Sequence, residues 1–155
     1  MQSMLQVLFP VGTADRQDAA TIKLNNLSGP QNITVGFTST ISGQAPNTTA
    51  QGMPVTDLLN AGIWTITPNI QPASGNYGVT LEGRGYTNGV ADPARYVVLK
   101  RPSSGYVWAF NGTNGFSTEA GNTVSATANN LTTFSDFAIG IATSGVSSVL
   151  PLKNW

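Results

Sequence analysis

The sequence predicts an all-β protein: an antiparallel β-sandwich of about eight or nine strands, Ig-like or jelly-roll-like, with Greek-key connections. Three observations predict it. Apolar residues alternate with polar ones along most of the chain, the period of a strand with one buried face. Turn dipeptides such as Asn88-Gly89, Asn111-Gly112 and Asn114-Gly115 separate these runs, because Asn and Gly tolerate positive φ. Only 9% of the 155 residues are charged, against roughly 25% in an average soluble domain. Thr, Asn, Ser, Gly and Gln take their place; Thr suits a pleated surface, and Asn and Gly suit its turns. A closed barrel is the alternative architecture.

The expected strands follow in order. Leu5, Val7 and Phe9 alternate with polar or smaller neighbours. Ile22 and Leu24 alternate with Thr21 and Lys23, and Ile33, Val35 and Phe37 with Asn32, Thr34 and Gly36. Residues 42–53 read as a long loop. Residues 55–61 hold the only helical candidate, a single turn capped by Thr56-Asp57 before Leu58-Leu59. Trp64 and Ile66 alternate with threonines, and Tyr77, Val79 and Leu81 with Gly78, Thr80 and Glu82. Val97 and Leu99 run through ARYVVLK, and Tyr106, Trp108 and Phe110 enclose Val107 and Ala109. Val124 with Ala126, and Phe137 with Ile139, complete the series. Ser28-Gly29-Pro30, Ala45-Pro46-Asn47 and Asp92-Pro93 break regular structure between runs. One domain is expected over residues 1–143, followed by a linker at 144–155 toward a downstream segment.

Composition excludes several classes of function. Apolar residues make up 40% of the chain and the net charge is zero, whereas disorder needs low hydrophobicity with high net charge. The seven Lys and Arg are scattered, so nucleic acid, which needs clustered cations, is not an expected partner. No apolar run approaches roughly 18 residues, so no transmembrane segment is expected. Cysteine is absent, which removes thiol chemistry and thiolate metal sites. Histidine is absent too; it is the side chain best suited to proton transfer near neutral pH and the commonest metal ligand. Residues 1–4, MQSM, lack the regions of a signal peptide, so an exported protein is expected to carry its signal outside this chain.

Two phrases stand out. Phe9-Pro10-Val11-Gly12-Thr13-Ala14 lies near one end, and Leu131 to Gly140, LTTFSDFAIG, near the other. Together they resemble a recurring module of large secreted and surface proteins of Bacteroidetes-type bacteria, found just upstream of the C-terminal sorting domain for type IX secretion. Between them, the Thr/Ile alternation of residues 20–24 matches a strand of that module. Ile63-Trp64-Thr65-Ile66-Thr67 stands where the family often reads R/W-T-I, without the arginine. The similarity covers nearly the whole chain, specifically at its ends and loosely in its middle. Lys153-Asn154-Trp155 departs from the β-rich continuation the family shows. The resemblance implies an extracellular β-sandwich passed through the outer membrane and joined to other domains of the same polypeptide. It implies no single activity and carries over no catalytic residue.

The candidates for chemistry are few. A glycosidase needs two carboxylates facing each other at about 5–10 Å. Glu82 and Asp92 flank one turn and are the pair that turn could bring together, although solvated or turn-capping acids are the expected role for both. Asp136 reads as a structural corner with an Asx-type bond to local backbone. Calcium needs six to eight oxygens, and Asp15 with Asp18 in TADRQDA is the one candidate cofactor site. The competing reading is a polar loop in which Arg16 pairs with an acid. Tyr106, Trp108 and Phe110 at i, i+2 and i+4 share one face of an expected strand. Exposed, such a row stacks on sugar rings; buried, it is core, where large aromatics usually go. Tyr86, in the Gly-rich turn GRGYT, is the ring expected at the surface. Serine nucleophiles lack a strand–Ser–helix elbow and a histidine base. Five Asn-x-Ser/Thr sites, at Asn26, Asn32, Asn47, Asn111 and Asn130, carry little meaning in so Asn- and Thr-rich a chain.

The reading is therefore a non-enzymatic structural, spacer or adhesion module of a larger secreted or cell-surface bacterial protein. Two alternatives stand beside it. One is a carbohydrate-binding module that places Tyr86, Tyr106, Trp108 and Phe110 on surface polysaccharide. The other is a self-assembling filament or surface-layer subunit, in which an edge such as Met4–Phe9 pairs with a neighbouring copy.

Overall fold

The computed structural model describes residues 4–149. Its strands are β1 (Met4–Phe9), β2 (Ala20–Ser28), β3 (Ile33–Thr38), β4 (Thr48–Ala50), β5 (Met53–Leu58) and β6 (Ile63–Pro68). They continue with β7 (Ser74–Gly83), β8 (Tyr96–Arg101), β9 (Thr113–Asn114), β10 (Thr118–Ala120), β11 (Thr123–Leu131) and β12 (Asp136–Ala142). Two antiparallel six-stranded sheets form a sandwich. The first runs β1-β2-β7-β11-β10, with β9 also on β11; the second runs β3-β6-β12-β5-β4, with β8 also on β12. The expected all-β sandwich forms, with twelve strands in place of eight or nine. The additional strands are mostly β4, β9 and β10, two or three residues each, too short to show a period.

Three expectations fail locally. Residues 42–53 are not one loop, because Thr48–Ala50 form β4 and pair with residues 53–55 of β5. Residues 55–61 form no helical turn: β5 runs through Leu58, and the Asp57 carboxylate accepts the next amide at 2.9 Å while the chain stays extended. The 3-10 turn lies instead at Pro93–Arg95, where proline presets φ. Nor is there a strand over residues 106–110. Pro102 and Gly105 (φ +90) bend the chain, the Tyr106 amide closes a turn onto the Ser103 carbonyl at 3.2 Å, and only Ala109 forms a bridge, to Lys100.

Burial follows the alternation in the first sheet. Ile22, Tyr77, Val79, Leu81, Val124 and Ala126 point inward and meet Trp64, Ile66, Tyr96, Val98, Phe137 and Ile139 of the second sheet. The second sheet is buried on its other face as well. Val55, Ile63, Val97, Leu99 and Ala138 pack there with Trp108 and Val146. This explains the unbroken apolar runs of β8 and β12, as expected for strands covered on both faces.

Strand β12 organises the second sheet. Along one edge it pairs with β8 from Asp136 to Ile141. Its other edge is divided, Asp136 and Phe137 going to β6 and Gly140 to Ala142 going to β5. Gly140 is needed because a Cβ there would lie 2.7 Å from Leu99. Just before β12, Phe134 stacks on Tyr77 with ring centroids 4.0 Å apart, and the Tyr77 hydroxyl donates to the Thr133 carbonyl. The Gln71 side chain pairs with the Phe134 backbone as a peptide would, donating at 3.0 Å and accepting at 2.9 Å.

The cover over the outer face is fastened by Arg101. Its side chain is 1% exposed and its Nε lies 3.2 Å from Asp136 Oδ2. Nη1 donates to the Ser42 carbonyl at 2.9 Å, and the guanidinium lies 4.3 Å from the Trp108 ring centroid. Gly43, at φ +91, lets the 38–47 loop pass, since a Cβ would sit 2.6 Å from Nη1. Asp136 is thus tied across strands, to Arg101 and to the Thr65 hydroxyl at 2.9 Å, rather than by the local Asx bond expected from sequence.

The expected linker begins by packing onto the domain. Val146 is buried, its amide donating to Ala94 at 2.8 Å, and the Val149 amide donates to Asn114 at 2.8 Å. Residues 150–155, with Leu150-Pro151-Leu152, lie outside the described residues.

Arg101→Ala is expected to lower stability by about 3–5 kcal/mol, because it strands the Asp136 carboxylate. Arg101→Lys is expected to recover little, lacking the planar fork that serves Asp136 and Ser42 together. Urea unfolding of the three proteins measures both.

Candidate functional site

The loop after β1 carries the candidate calcium ligands. It folds back on itself: the Thr13 amide donates to Arg16 at 3.0 Å and the Asp18 amide to Val11 at 2.8 Å. Gly12 is required, since a Cβ would collide with the Arg16 carbonyl. Asp18 is fully buried. Its Oδ1 accepts the Arg84 amide at 2.7 Å, and its Oδ2 lies 3.0 Å from Arg16 Nε. That second contact is out of line for a hydrogen bond, so it is an ionic contact. Arg16 reaches on to the Ala61 carbonyl at 3.1 Å, and the Trp64 indole donates to the Asp18 carbonyl at 2.8 Å. Asp15 stays exposed. Asp18 therefore serves as a buried fastener between this loop and the turn at Arg84. Among the described residues, no three acidic side chains gather in a metal-holding group.

The aromatic residues separate. Tyr106 is 60% exposed, Trp108 is buried beneath Arg101, and Phe110 is half-buried against the outer cluster. They do not form a row, because no strand holds them. Tyr86 is half-buried rather than a surface ring. Its hydroxyl donates to Glu119 Oε2 at 2.9 Å, while Tyr96 donates to Glu119 Oε1 at 2.9 Å. Burial, then the hydrogen bond and charge of Glu119, push the Tyr86 hydroxyl up to about 12. Burial also raises Tyr96, partly opposed by its bond from the Val90 amide. Sequence reasoning missed Glu119 as a partner, since 33 residues separate it from Tyr86. It also missed Phe116, 63% exposed; the available signal was a lone aromatic after Asn114-Gly115, outside any alternating run.

The remaining carboxylates are apart in role. Glu82 lies 3.7 Å from Arg84. Asp92 precedes the Pro93–Arg95 turn and borders the same groove as Glu119.

Among the described residues, one flank of the sandwich is open. Strands β1 and β3 end their respective sheets, and Phe37 of β3 borders the same hollow as the loop that follows β1. Strand β1, MLQVLF, has no charge, Pro or Gly, and Leu5 and Leu8 are 60% and 55% exposed. Strand β3, ITVGFT, is also uncharged. Elsewhere the edges are protected: β4 and β10 have three residues each, and Ala109 bridges to β8.

Compared with known protein families, curated proteins and solved structures, the chain matches none.

Tyrosine titration tests the Glu119 cluster. The folded state favours the neutral Tyr86 phenol, whose ordinary value is 10.0. That contribution is fully present below pH 10 and is lost as pH rises toward about 12. Tyrosinate absorbance and unfolding midpoints across this range are expected to show it, and Tyr86→Phe to remove its share.

Proposed function

We propose that the chain is a non-enzymatic structural module of a larger secreted or cell-surface bacterial protein, and that it joins neighbouring copies through the β1 edge. The observation that supports this reading is the unguarded strand Met4–Phe9. Soluble β-proteins blunt their edges with charge, proline, bulges or brevity. Strand β1 has six residues and none of the first two devices. Its outward hydrogen-bonding groups suit addition of a strand from a second copy. An antiparallel pairing centred on Val7 keeps inner faces aligned and sets Leu5 against the other copy's Phe9.

The ionisable side chains support a structural role by their present use. Asp18 and Asp136 are held by arginines, and Glu119 by two tyrosines. Export to the cell surface is what the FPVGTA and FSDFAIG resemblance implies, and the low charge and Asn/Thr-rich composition accord with it.

Sedimentation of the wild type and a Leu5→Lys/Leu8→Lys double variant tests the edge. The wild type is expected to associate with rising concentration. The variant is expected to stay monomeric with an unfolding free energy within about 0.5 kcal/mol of wild type, since both side chains are exposed. A wild type that stays monomeric at high concentration overturns the reading.

A further inference from the structure

We propose that the groove beside Phe116 binds a neutral pyranose unit of a polysaccharide. The groove holds about 490 Å³ between the Pro93–Arg95 turn, residues 114–119 and residues 146–148. This inference goes beyond the structural reading and does not rest on it.

Four features of the groove point to that ligand. Phe116 borders it with 63% of its surface exposed, offering a flat apolar face on which the C–H face of a pyranose stacks. Glu119 is fixed by the Tyr86 and Tyr96 hydroxyls at 2.9 Å each. A carboxylate oxygen that accepts one bond keeps capacity for another, so this acceptor is oriented before a ligand arrives. Asp92 adds a second, exposed carboxylate at the rim. Asn114, 2% exposed, holds the inner wall of the groove in place, its Nδ2 donating to Ser147 at 3.1 Å.

The two carboxylates, Glu119 and Asp92, are acceptors, so the groove takes hydrogen-bond donors from its ligand. Among the described residues no Lys or Arg borders the groove, so there a uronate, sialate or phosphate meets two carboxylates and no counter-charge. A small metal cation is poorly served, because no three acidic groups gather among the described residues. A ligand rich in hydroxyls, uncharged and flat on one face meets all the requirements. A few convergent polar groups beside an aromatic wall is the usual build of a small-molecule site.

Calorimetric titration with cello-, xylo-, manno- and chito-oligosaccharides, and with oligogalacturonate and an oligoamine as charged counterparts, tests the proposal. At least one neutral oligosaccharide is expected to bind. Phe116→Ala is expected to weaken it about tenfold, and Asp92→Ala to weaken it to a lesser degree. Both side chains are exposed, and an unchanged unfolding midpoint verifies that each variant folds. Tyr106→Ala, which removes the other exposed ring among the described residues, is expected to bind as wild type. The Leu5→Lys/Leu8→Lys variant is expected to bind equally, which separates this result from association. Failure of every neutral oligosaccharide to bind at millimolar concentration overturns the proposal. So does binding restricted to a charged probe, or binding that Phe116→Ala leaves intact.

Discussion

The fold depends on the contact between Arg101, Asp136 and Trp108. A sheet in a two-layer sandwich ordinarily keeps one face in water. Here the second sheet carries apolar residues on both faces, and its outer face is covered by loops rather than by a third layer. Loops have no ladder to hold them. Arg101 supplies the substitute: one guanidinium binds the 38–47 loop at Ser42, lies over Trp108 of the 102–112 loop, and is neutralised by Asp136 of the central strand. Burying a charge this deeply is tolerable because each side of the guanidinium has a partner.

The other arginines follow the same rule. Arg16 donates to Ala61, Arg84 to Gln17 and Arg95 to Ala142, each to a backbone carbonyl of a distant segment. All four arginines of the chain thus tie loops or strand ends to the body. Planar, multidentate donors suit that task better than lysine. Arg101 is buried and the other three are partly buried along the loops they tie, and with so few charges in the chain the surface is rich in Thr, Asn, Ser and Gln.

Much of the sandwich was legible in period-two alternation, because a strand with one wet face writes its geometry into the sequence. Strands β1, β2, β3, β6, β7, β8, β11 and β12 all contain runs recognisable that way. The failures have definite causes. Tyr106, Trp108 and Phe110 alternate without forming a strand, since Pro102 and Gly105 bend the chain and Arg101 draws Trp108 inward. The V-V-L run of β8 and the FAIGIA run of β12 signal burial on two faces, although alternation alone assigned them one. The candidate sites were less legible. Glu119 meets Tyr86 and Tyr96 only because β10 folds back beside the turns that precede β8, and no spacing announces such a meeting. The two end phrases now have structural content: Gly12 allows the loop to cross itself, and FSDFAIG leads into β12 and forms most of it, the strand on which three others pair.

That pairing pattern also sets the mechanical character of the molecule. Among the described residues strand β1 is bonded along one side only, so a pull from its end can peel it away one residue pair at a time. Strand β12 is bonded on both sides, to β8 and to β6 and β5, and sits under packed side chains on both faces. A load reaching it must break several ladders together. Under tension the molecule is compliant at its first strand and stiff at its last, and its extension begins at the edge while the core remains intact.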